Sequence, residues 1–516
     1  MNNEVYANDP RVMAGIGKLA KAVSSTLGPG GKNVLLGRDR PMLTKDGVTV
    51  AREIRLKDEV ERIGADLIKV VASKTNDVAG DGTTTATILA HAILVEGMKM
   101  VAAGHNPVDL KKGINLAVAD VVKNLKSISR EVKDEDIFHV ASISANDREL
   151  GRQIADMIKA VGKDGIISVE ESPTGKDEQE IVKGMRLDSG MISPYMATDL
   201  GRMQSVMDDA YVLITDSKIS TVSDFLPILE KFVKETDRKE LVIVADDISG
   251  DALASLVMNK LKLIFTTVAV KAPKFGKLKK DVLQDLAMLT GGKVISQDTG
   301  LKLETMKVSD LGRARKVTVT KDHATFIDGF GDKKLIQDRI DMVKAECEKS
   351  TDPFDRAMLL ERTAKLSGGI GVMKVGASTS TELDEKRQRI EDSINATKAA
   401  LAEGIVPGGG EALIRAWQMV GGMDVNFQEG YWIVRDAIEQ PLRIIALNAG
   451  KDPSVVLMKV KEGTVGYDAE EDEYVDMLKA GIMDPTKVTR TALENAASIA
   501  VMLLTSDITI ANVCEE

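Results

Sequence analysis

The stretch AGDGTTTA, residues 79–86, carries the most informative local pattern of the sequence. It separates residues 59–78 from residues 84–103, two segments whose apolar positions recur every three or four residues and predict amphipathic helices. The two glycines permit a tight turn and a close approach of the backbone to a ligand. The threonines open the second helix, whose first N–H groups attract phosphate, and Asp81 offers a carboxylate for a phosphate-bound Mg²⁺ ion. The same residues are also compatible with a threonine N-cap after a turn.

Other segments offer glycines or carboxylates, but spacing alone does not join them to residues 79–86. Residues 26–33, TLGPGGKN, look superficially like a P-loop, yet the motif is two residues short and ends in Asn33 where Ser or Thr is needed. Residues 45–47, KDG, predict a turn with one carboxylate, and residues 408–410, GGG, precede a further helix. Asp392 lies in a charged helix, where a solvated position is the ordinary interpretation.

The chain has helical segments at both ends and a different pattern in its middle. Short apolar runs alternate there with helical stretches, which predicts an α/β layer with parallel strands. The strands are expected at residues 211–215, 241–245 and 264–270, and the helices at residues 222–235, 250–261 and 279–289. A charged helix follows at residues 381–403. This order predicts a domain inserted into another that both chain ends build.

Composition narrows the class of protein. The 516 residues favour two to four domains, and 43% hydrophobic with 29% charged residues is typical of a globular chain. A net charge of −10 and 3% aromatic residues disfavour a nucleic-acid or membrane-surface binder. Cys347 and Cys514 are far apart and the four histidines show no metal-site spacing, so a disulfide scaffold and a cysteine zinc site are excluded. Without a targeting pattern or an uncharged membrane-spanning stretch, we expect a cytoplasmic protein.

Nine segments along the chain together resemble those of group I chaperonins, the GroEL-like family: GDGTTT, TLGPGGKNV, TKDGVTVAREI, VAAGHNPVDLKKGI, VKAPKFG, QDLAMLTGG, EDSINATKAA, VPGGG and GIMDPTKVTR. The resemblance covers nearly the whole chain and implies a multidomain α and α/β fold. A mostly helical equatorial ATP-binding domain would comprise residues 1–128 and 404–516. A small intermediate hinge domain would comprise residues 129–183 and 377–403, and an α/β apical client-binding domain residues 184–376.

The resemblance also implies an ATPase site. Asp46 and Asp392 match the pair that positions and activates the attacking water, and Asp81 matches the Mg²⁺ ligand. The remaining matches to residues around ATP and a K⁺ ion are Thr26, Leu27, Gly28, Pro29, Lys45, Gly82, Thr83, Thr84, Thr85, Gly409, Asp468, Ala469 and Asp484. Asp468 stands where the family usually has Asn, which puts its contact with the base in doubt.

The implied activity is ATP-dependent folding of non-native proteins inside a homo-oligomeric sevenfold ring, single or double, with a co-chaperonin as an optional partner. The matched apical residues that would bind clients are Pro194, Tyr195, Leu226, Leu229, Leu253, Val257 and Met258. Met191 and Met196 replace residues that are often aromatic in the family, and their flexible side chains would suit promiscuous binding. Two alternatives stay open: a ring-forming ATP-binding scaffold or holdase without a folding cycle, and a small-molecule kinase.

Overall fold

In the computed structural model, both ends of the chain form long helices, and the segment between them forms a mixed sheet. The structure describes residues 2–7, 9–37, 42–162, 165–172, 175–224, 226–236, 240–262, 265–274, 276–296, 300–301, 303–349, 352–367, 369–377 and 379–513. The chain divides into two compact units. The terminal unit consists of Met1–Lys159, Val169–Glu178 and Lys374–Glu516, and the central unit of Ala160–Ser168 and Gln179–Met373.

The α-helices and β-strands have the following bounds. The helices are α1 Pro10–Ser24, α2 Gly47–Glu53, α3 Glu59–Ala79, α4 Thr83–Ala102, α5 Pro107–Ile128, α6 Asp134–Ala145, α7 Arg148–Val161, α8 Leu226–Glu235, α9 Gly250–Leu261, α10 Gly276–Thr290, α11 Lys333–Lys349, α12 Pro353–Ser367, α13 Ser380–Glu403, α14 Glu411–Gln418, α15 Gln428–Ile438, α16 Gln440–Asn448, α17 Pro453–Glu462 and α18 Thr486–Leu504. The strands are β1 Asn2–Ala7, β2 Val34–Leu36, β3 Met42–Thr44, β4 Ile166–Glu171, β5 Glu178–Leu187, β6 Ser205–Thr215, β7 Lys218–Ile219, β8 Glu240–Ala245, β9 Asp247–Ile248, β10 Thr266–Lys271, β11 Val294–Ile295, β12 Gly312–Val319, β13 Ala324–Gly329, β14 Gly369–Val375, β15 Ile405–Pro407, β16 Gly466–Asp468, β17 Glu473–Val475, β18 Met483–Pro485 and β19 Ile508–Val513.

The terminal unit is built from both ends of the chain. Strand β1 pairs antiparallel with β19, and helices α1, α3, α4, α5, α15 and α18 pack around one apolar core. Ile68 of α3, Leu89 of α4 and Leu493 of α18 are fully buried in that core. The two helices predicted on either side of residues 79–86 are confirmed as α3 and α4.

Helix α4 is long and apolar enough, by length and composition alone, to cross a membrane. It contains Glu96 and Lys99, and half of its apolar window is buried inside the unit. It packs against α1, α3, α15 and α18, and core helices pass the same test of length and composition.

Helix α13 places the charged segment 381–403 within the terminal unit. Its apolar residues Ile390 and Ile394 are buried, and it packs on α6, β3, β18 and α18. The hydroxyl of Ser393 donates to the carbonyl of Ala141 on α6 at 2.8 Å. Helix α13 therefore has a fixed position against the elements that surround Asp392.

The central unit contains the predicted parallel strands. Strands β6, β8 and β10 run parallel in the sheet order β10-β8-β6-β12-β13-β5-β14-β4, with β11 parallel to β6. Strands β12 and β13 continue the sheet antiparallel. In the parallel strands β6, β8 and β10, residues such as Val212, Val242 and Val268 are fully buried, as the continuous apolar runs predict.

Several boundaries in the central unit differ from the prediction. Strand β6 begins at Ser205 rather than at residue 211, and α10 begins at Gly276 rather than at residue 279. The helix expected over residues 222–235 is a short 3₁₀ turn, Val222–Asp224, followed by α8, which begins at Leu226. Pro227 explains the start, because proline favours the first turn of a helix and lacks the N–H that a helix interior needs. The strand expected over residues 264–270 is β10, and Ile264 lies outside the described residues.

The chain passes from one unit to the other between residues 159 and 160, 168 and 169, 178 and 179, and 373 and 374. The finer division of the chain into equatorial, intermediate and apical domains at residues 128, 183, 376 and 403 stays a prediction.

Candidate functional site

The turn between α3 and α4 requires its two glycines. Gly80 ends α3 with φ of 70° and Gly82 precedes α4 with φ of 82°, both in the left-handed region. A Cβ at Gly80 would lie 2.4 Å from Cβ of Asn395, and one at Gly82 would lie 2.5 Å from Cγ1 of Val488. Because α13 and α18 approach the turn this closely, only glycine fits at either position.

Helix α4 begins at this turn without a side-chain cap. Helices α1, α2, α3, α5 and α17 of the same unit each begin with an Asp or Asn side chain that accepts from the first N–H groups. The N–H groups of Thr83, Thr84 and Thr85 are in the first turn of α4, where a helix has no intrahelical acceptors for them. An anion that accepts from these groups would replace the missing cap.

Asp81 lies within this turn, half-buried. Its Oδ1 accepts from the N–H of Gly82 at 2.5 Å and its Oδ2 from the hydroxyl of Ser144 at 3.3 Å. Burial raises the pKa of the Asp81 carboxyl, the two hydrogen bonds lower it, and the charge of Asp46 raises it further. Burial and the charge of Asp46 thus destabilise the ionised form of Asp81, and a bound cation would stabilise it.

Asp46 caps α2 from the loop that follows β3. Its Oδ1 accepts from the N–H of Val48 at 3.1 Å, and its Oδ2 from the N–H and the hydroxyl of Thr49 at 2.9 and 2.5 Å. The next residue, Gly47, contacts the start of α4, since a Cβ there would lie 2.2 Å from Oγ1 of Thr84. The predicted Asp46 loop and threonine segment therefore lie side by side.

Asp392 projects from α13 toward the same place. Burial raises the pKa of its carboxyl well above the usual range, and the charges of Asp46, Asp81 and Glu391 add to the rise. Asn395, three residues further along α13, packs on Gly80, so Asp392 lies on the side of the helix that faces the turn. The structure thus places Asp392 beside the turn of residues 79–86. For a residue of a charged helix, a solvated position is the ordinary interpretation.

Asp484 joins the site from strand β18, opposite Val406 of β15. Burial, followed by the charge of Asp81, raises the pKa of Asp484 to about 7. The β15 strand leads into residues 408–410, and α14 then begins without a side-chain cap. Gly409 has φ of 66°, in the left-handed region, so a side chain at this position would strain the backbone.

The four carboxylates of Asp46, Asp81, Asp392 and Asp484 form one interacting group, which we call the carboxylate cluster. Half-buried like charges in mutual repulsion favour a bound cation. Among the described residues, no three acidic, His or Cys side chains have the geometry to hold a metal ion without other ligands. The oxygen donors of the carboxylate cluster suit Mg²⁺, which usually binds one or two carboxylates and takes further ligands from water and phosphate.

The loop of residues 26–29 is positioned by α16. The side-chain amide of Asn448 donates to the carbonyls of Ser24 and Leu27 at 3.0 and 2.9 Å, and the hydroxyl of Thr26 donates to the carbonyl of Val23. Gly28 has φ of 78° and packs on Ile445. The backbone from Thr26 to Pro29 is therefore held in one conformation, although no described contact joins it directly to the carboxylate cluster.

Lys45, adjacent to Asp46, is directed toward α13. Burial lowers the pKa of its ammonium group, Arg389 lowers it further, and Glu385 opposes the change. The structure brings Lys45 to the edge of the carboxylate cluster, and its place beside a monovalent cation stays a prediction.

Asp468 ends β16, and Ala469 begins the turn that leads to β17. Oδ1 of Asp468 accepts from the N–H groups of Glu470 and Glu471 at 2.9 and 3.3 Å. The carboxylate thus stabilises its own turn, and the contact of these two residues with a base stays a prediction.

The predicted client-binding residues of the central unit differ in exposure. Tyr195 is 71% exposed, Met258 50% and Leu226 43%, and Pro194 is exposed, whereas Leu253 and Val257 are half-buried. Leu229 is only 5% exposed and packs in the core of the unit, which corrects the expected surface. The spacing of α8 directs Leu229 inward and leaves Leu226 and Val233 outside.

Met191 and Met196 are also buried, at 9% and 0% exposure. Sδ of Met196 accepts from the N–H of Ala269 at 3.2 Å, so this side chain fills a place under the sheet. The expectation that these two methionines provide an adaptable binding surface is wrong.

Several residues around the site were not identified from the sequence. Ser144 donates to Asp81, Asn395 packs on Gly80, Asn448 holds the loop of residues 26–29, and Gln388 contacts the Asp46 loop. Single polar residues on helices carry no local motif. Only the packing of α6, α13 and α16 shows where they lie.

Comparisons with known proteins address both the family and the fold. The model of the TCP-1/cpn60 chaperonin family matches residues 19–513. The crystal structure of the chaperonin gp146 from the bacteriophage EL 2 (Pseudomonas aeruginosa), in the presence of ATP-BeFx, is similar with a TM-score of 0.66 and 20% sequence identity. The match covers 99% of each chain and confirms the expected multidomain α and α/β fold.

Proposed function

The chain belongs to the TCP-1/cpn60 chaperonin family, and from this premise we propose that it is an ATP-dependent protein-folding chaperonin that captures non-native proteins and releases them in a ring cavity. The observation that carries the proposal is the carboxylate cluster beside the uncapped N-terminus of α4. Membership of this family supports a chaperonin rather than a small-molecule kinase.

In the proposed site, the N–H groups and hydroxyls of Thr83, Thr84 and Thr85 bind the phosphates, and Asp81 holds Mg²⁺. The ion, when bound, neutralises phosphate charge and links the nucleotide to the protein. The loop of residues 26–29 and the turn at Gly409 would close around the nucleotide, with Asp484 on the ribose. A K⁺ ion near Lys45 is part of the same proposal.

Hydrolysis in this site depends on Asp46 and Asp392. Phosphoryl transfer to water needs the nucleophile oriented in line with the leaving group, and a carboxylate performs this by accepting a hydrogen bond from the water. The raised pKa of Asp392 favours acceptance of the water's proton, because a carboxylate with a higher pKa is a stronger base. Asp46, fixed by the N-terminus of α2, would hold the water from a second direction.

Client capture is proposed for the exposed apolar residues of the central unit. Lys260 of α9 donates to the carbonyl of Tyr195 at 3.0 Å, which holds the turn at Pro194–Met196 against α9. Met258 and Leu261, 50% and 63% exposed and three residues apart, lie on one exposed face of α9, and Tyr195, 71% exposed, lies in the turn that Lys260 holds on this helix. We propose that non-native chains bind this face, that subunits form sevenfold rings in the cytoplasm, and that a co-chaperonin competes for the same surface.

The test is ATP-dependent refolding of an aggregation-prone client by the full chain. We expect the Asp392→Ala variant to bind ATP with unchanged affinity while its hydrolysis rate falls about 10²- to 10⁴-fold, the usual contribution of a general base. Asp384→Ala on the same helix is the matched control, because Asp384 is exposed and lies outside the carboxylate cluster. Normal ATP turnover in Asp392→Ala would contradict the hydrolytic role.

The alternative, a ring scaffold or holdase without a folding cycle, is favoured by the Asp468 carboxylate, which caps its own turn. Client binding with no ATP-dependent release from the unmodified protein would support that alternative and contradict the folding function.

A further inference from the structure

The side chain of Gln388 connects α13 to the loop that carries Asp46. The hydroxyl of Thr44 donates to Oε1 of Gln388 at 3.3 Å, and Nε2 of Gln388 donates to Oγ1 of Thr49 at 3.2 Å. Gln388 lies four residues before Asp392, so the two side chains share one face of the helix, one turn apart. The oxygen and the nitrogen of the Gln388 amide therefore each form a hydrogen bond with one of the two threonines that flank Asp46.

These bonds close a ring of four residues. The hydroxyl of Thr49 donates to Oδ2 of Asp46 at 2.5 Å, and the N–H of Asp46 donates to Oγ1 of Thr44 at 3.1 Å. Each threonine hydroxyl donates once and accepts once, which fixes the orientation of the amide, because the reversed amide would leave a hydroxyl without an acceptor. Thr44 is fully buried, so water does not compete for its hydroxyl.

The loop that carries Asp46 needs an attractive contact with α13. Asp46 and Asp392 are both acidic and interact repulsively across the gap between the loop and α13. A neutral amide that bonds the loop holds the two carboxylates at a set separation without adding charge. Glutamate at this position would lose the donor to Thr49 and add a further negative charge.

We infer that Gln388 is a positioning residue for ATP hydrolysis, which fastens the Asp46 loop to α13 and thereby sets the geometry of Asp46 and Asp392 around the attacking water. This inference rests on the proposed ATPase function. It goes beyond the pair of carboxylates because it assigns their alignment to a residue that touches neither the nucleotide nor the water. Removal of the amide should slow hydrolysis and leave nucleotide binding intact.

The experiment measures single-turnover ATP hydrolysis, the Kd for ATP and the melting temperature in Gln388→Ala. We expect the hydrolysis rate to fall about tenfold, since two neutral hydrogen bonds are lost, while the Kd for ATP changes less than about twofold because Thr83–Thr85 are untouched. Gln440→Ala is the matched control: Gln440 is a half-buried glutamine of the terminal unit whose amide donates to the carbonyl of Asp436. That variant should hydrolyse ATP at the normal rate.

A double-mutant cycle with Thr49→Val separates positioning from a general loss of stability. If Gln388 acts through Thr49, Gln388→Ala should lower the rate less than about twofold further in the Thr49→Val background. A normal rate in Gln388→Ala, additive losses in the double variant, or a rate loss that follows the melting temperature would each overturn the inference. ATP turnover by the unmodified protein together with a normal Gln388→Ala variant refutes the positioning role alone, whereas no turnover by the unmodified protein refutes the proposed function.

Discussion

Substitution of Asp484 by asparagine should stabilise the nucleotide-free protein in a pH-dependent way. Burial and the charge of Asp81 raise the pKa of Asp484 from 3.8 to about 7, so the folded protein holds a proton that the unfolded chain has lost between about pH 4 and pH 7. The folded state therefore loses stability as pH rises through that window, and above it the loss is complete. A pKa difference of this size corresponds to at most about 4 kcal/mol, and partial access of water to the carboxyl reduces it to roughly 2 kcal/mol.

The assay compares the melting temperatures of Asp484→Asn and the unmodified protein from pH 4.5 to pH 8 without nucleotide. At pH 4.5 the carboxyl is protonated in the folded state and the pH is still within about one unit of its pKa in the unfolded state, so most of the penalty is absent. The two proteins should therefore melt within about 1 °C of each other, whereas near pH 8 the variant should melt about 4 °C higher. Asp384→Asn, an exposed aspartate on α13, is the control and should show no such pH dependence. A melting difference that stays constant from pH 4.5 to pH 8, or a less stable variant at pH 8, would refute the reasoning.

Two further predictions concern the turn before α4 and the exposed face of the central unit. Gly82→Ala places a Cβ at positive φ and against Val488, so we expect a loss of about 1–2 kcal/mol from the backbone alone and weaker ATP binding, measured by thermal melting and nucleotide titration. The result would contradict the account if this variant bound ATP normally. Met258→Ser should weaken capture of a denatured client severalfold with unchanged ATP turnover, whereas Leu335→Ser, at an equally exposed leucine of α11, should leave capture intact. Equal losses of capture in the two variants would argue against a specific face.

Apolar patterns predict best the long helices of the terminal unit and the strands with continuous buried runs. Helices α3 and α4 and strands β8 and β10 lie where the apolar pattern places them, and β6 includes the predicted strand but begins six residues earlier, at Ser205. The pattern is less reliable where a helix has several apolar residues. Leu226 and Leu229 occupy successive turns of α8, yet one is exposed and the other buried, because the position of the sheet beneath α8 decides which side faces inward.

For the carboxylate cluster, too, the local sequence pattern predicts only part of the arrangement. The turn of residues 79–86 carries a local phosphate pattern, but Asp46, Asp392 and Asp484 come from segments far apart in sequence that only tertiary packing and the family resemblance join. Gln388 carried no pattern at all, since its role depends on two hydroxyls more than three hundred residues away. Long-range hydrogen bonds of this kind arise from the packing of α13, which no local periodicity encodes.

The central claim is that the carboxylate cluster and the N-terminus of α4 together form the ATP site. A structure of the full-length Asp392→Ala variant with ATP and Mg²⁺, determined by electron cryomicroscopy, tests it most directly. We expect the triphosphate at Thr83–Thr85, Mg²⁺ on Asp81, the ribose beside Asp484, and the terminal phosphate facing position 392 across from Asp46. Nucleotide density elsewhere in the subunit, or a triphosphate that leaves Asp81 without Mg²⁺, would contradict the account.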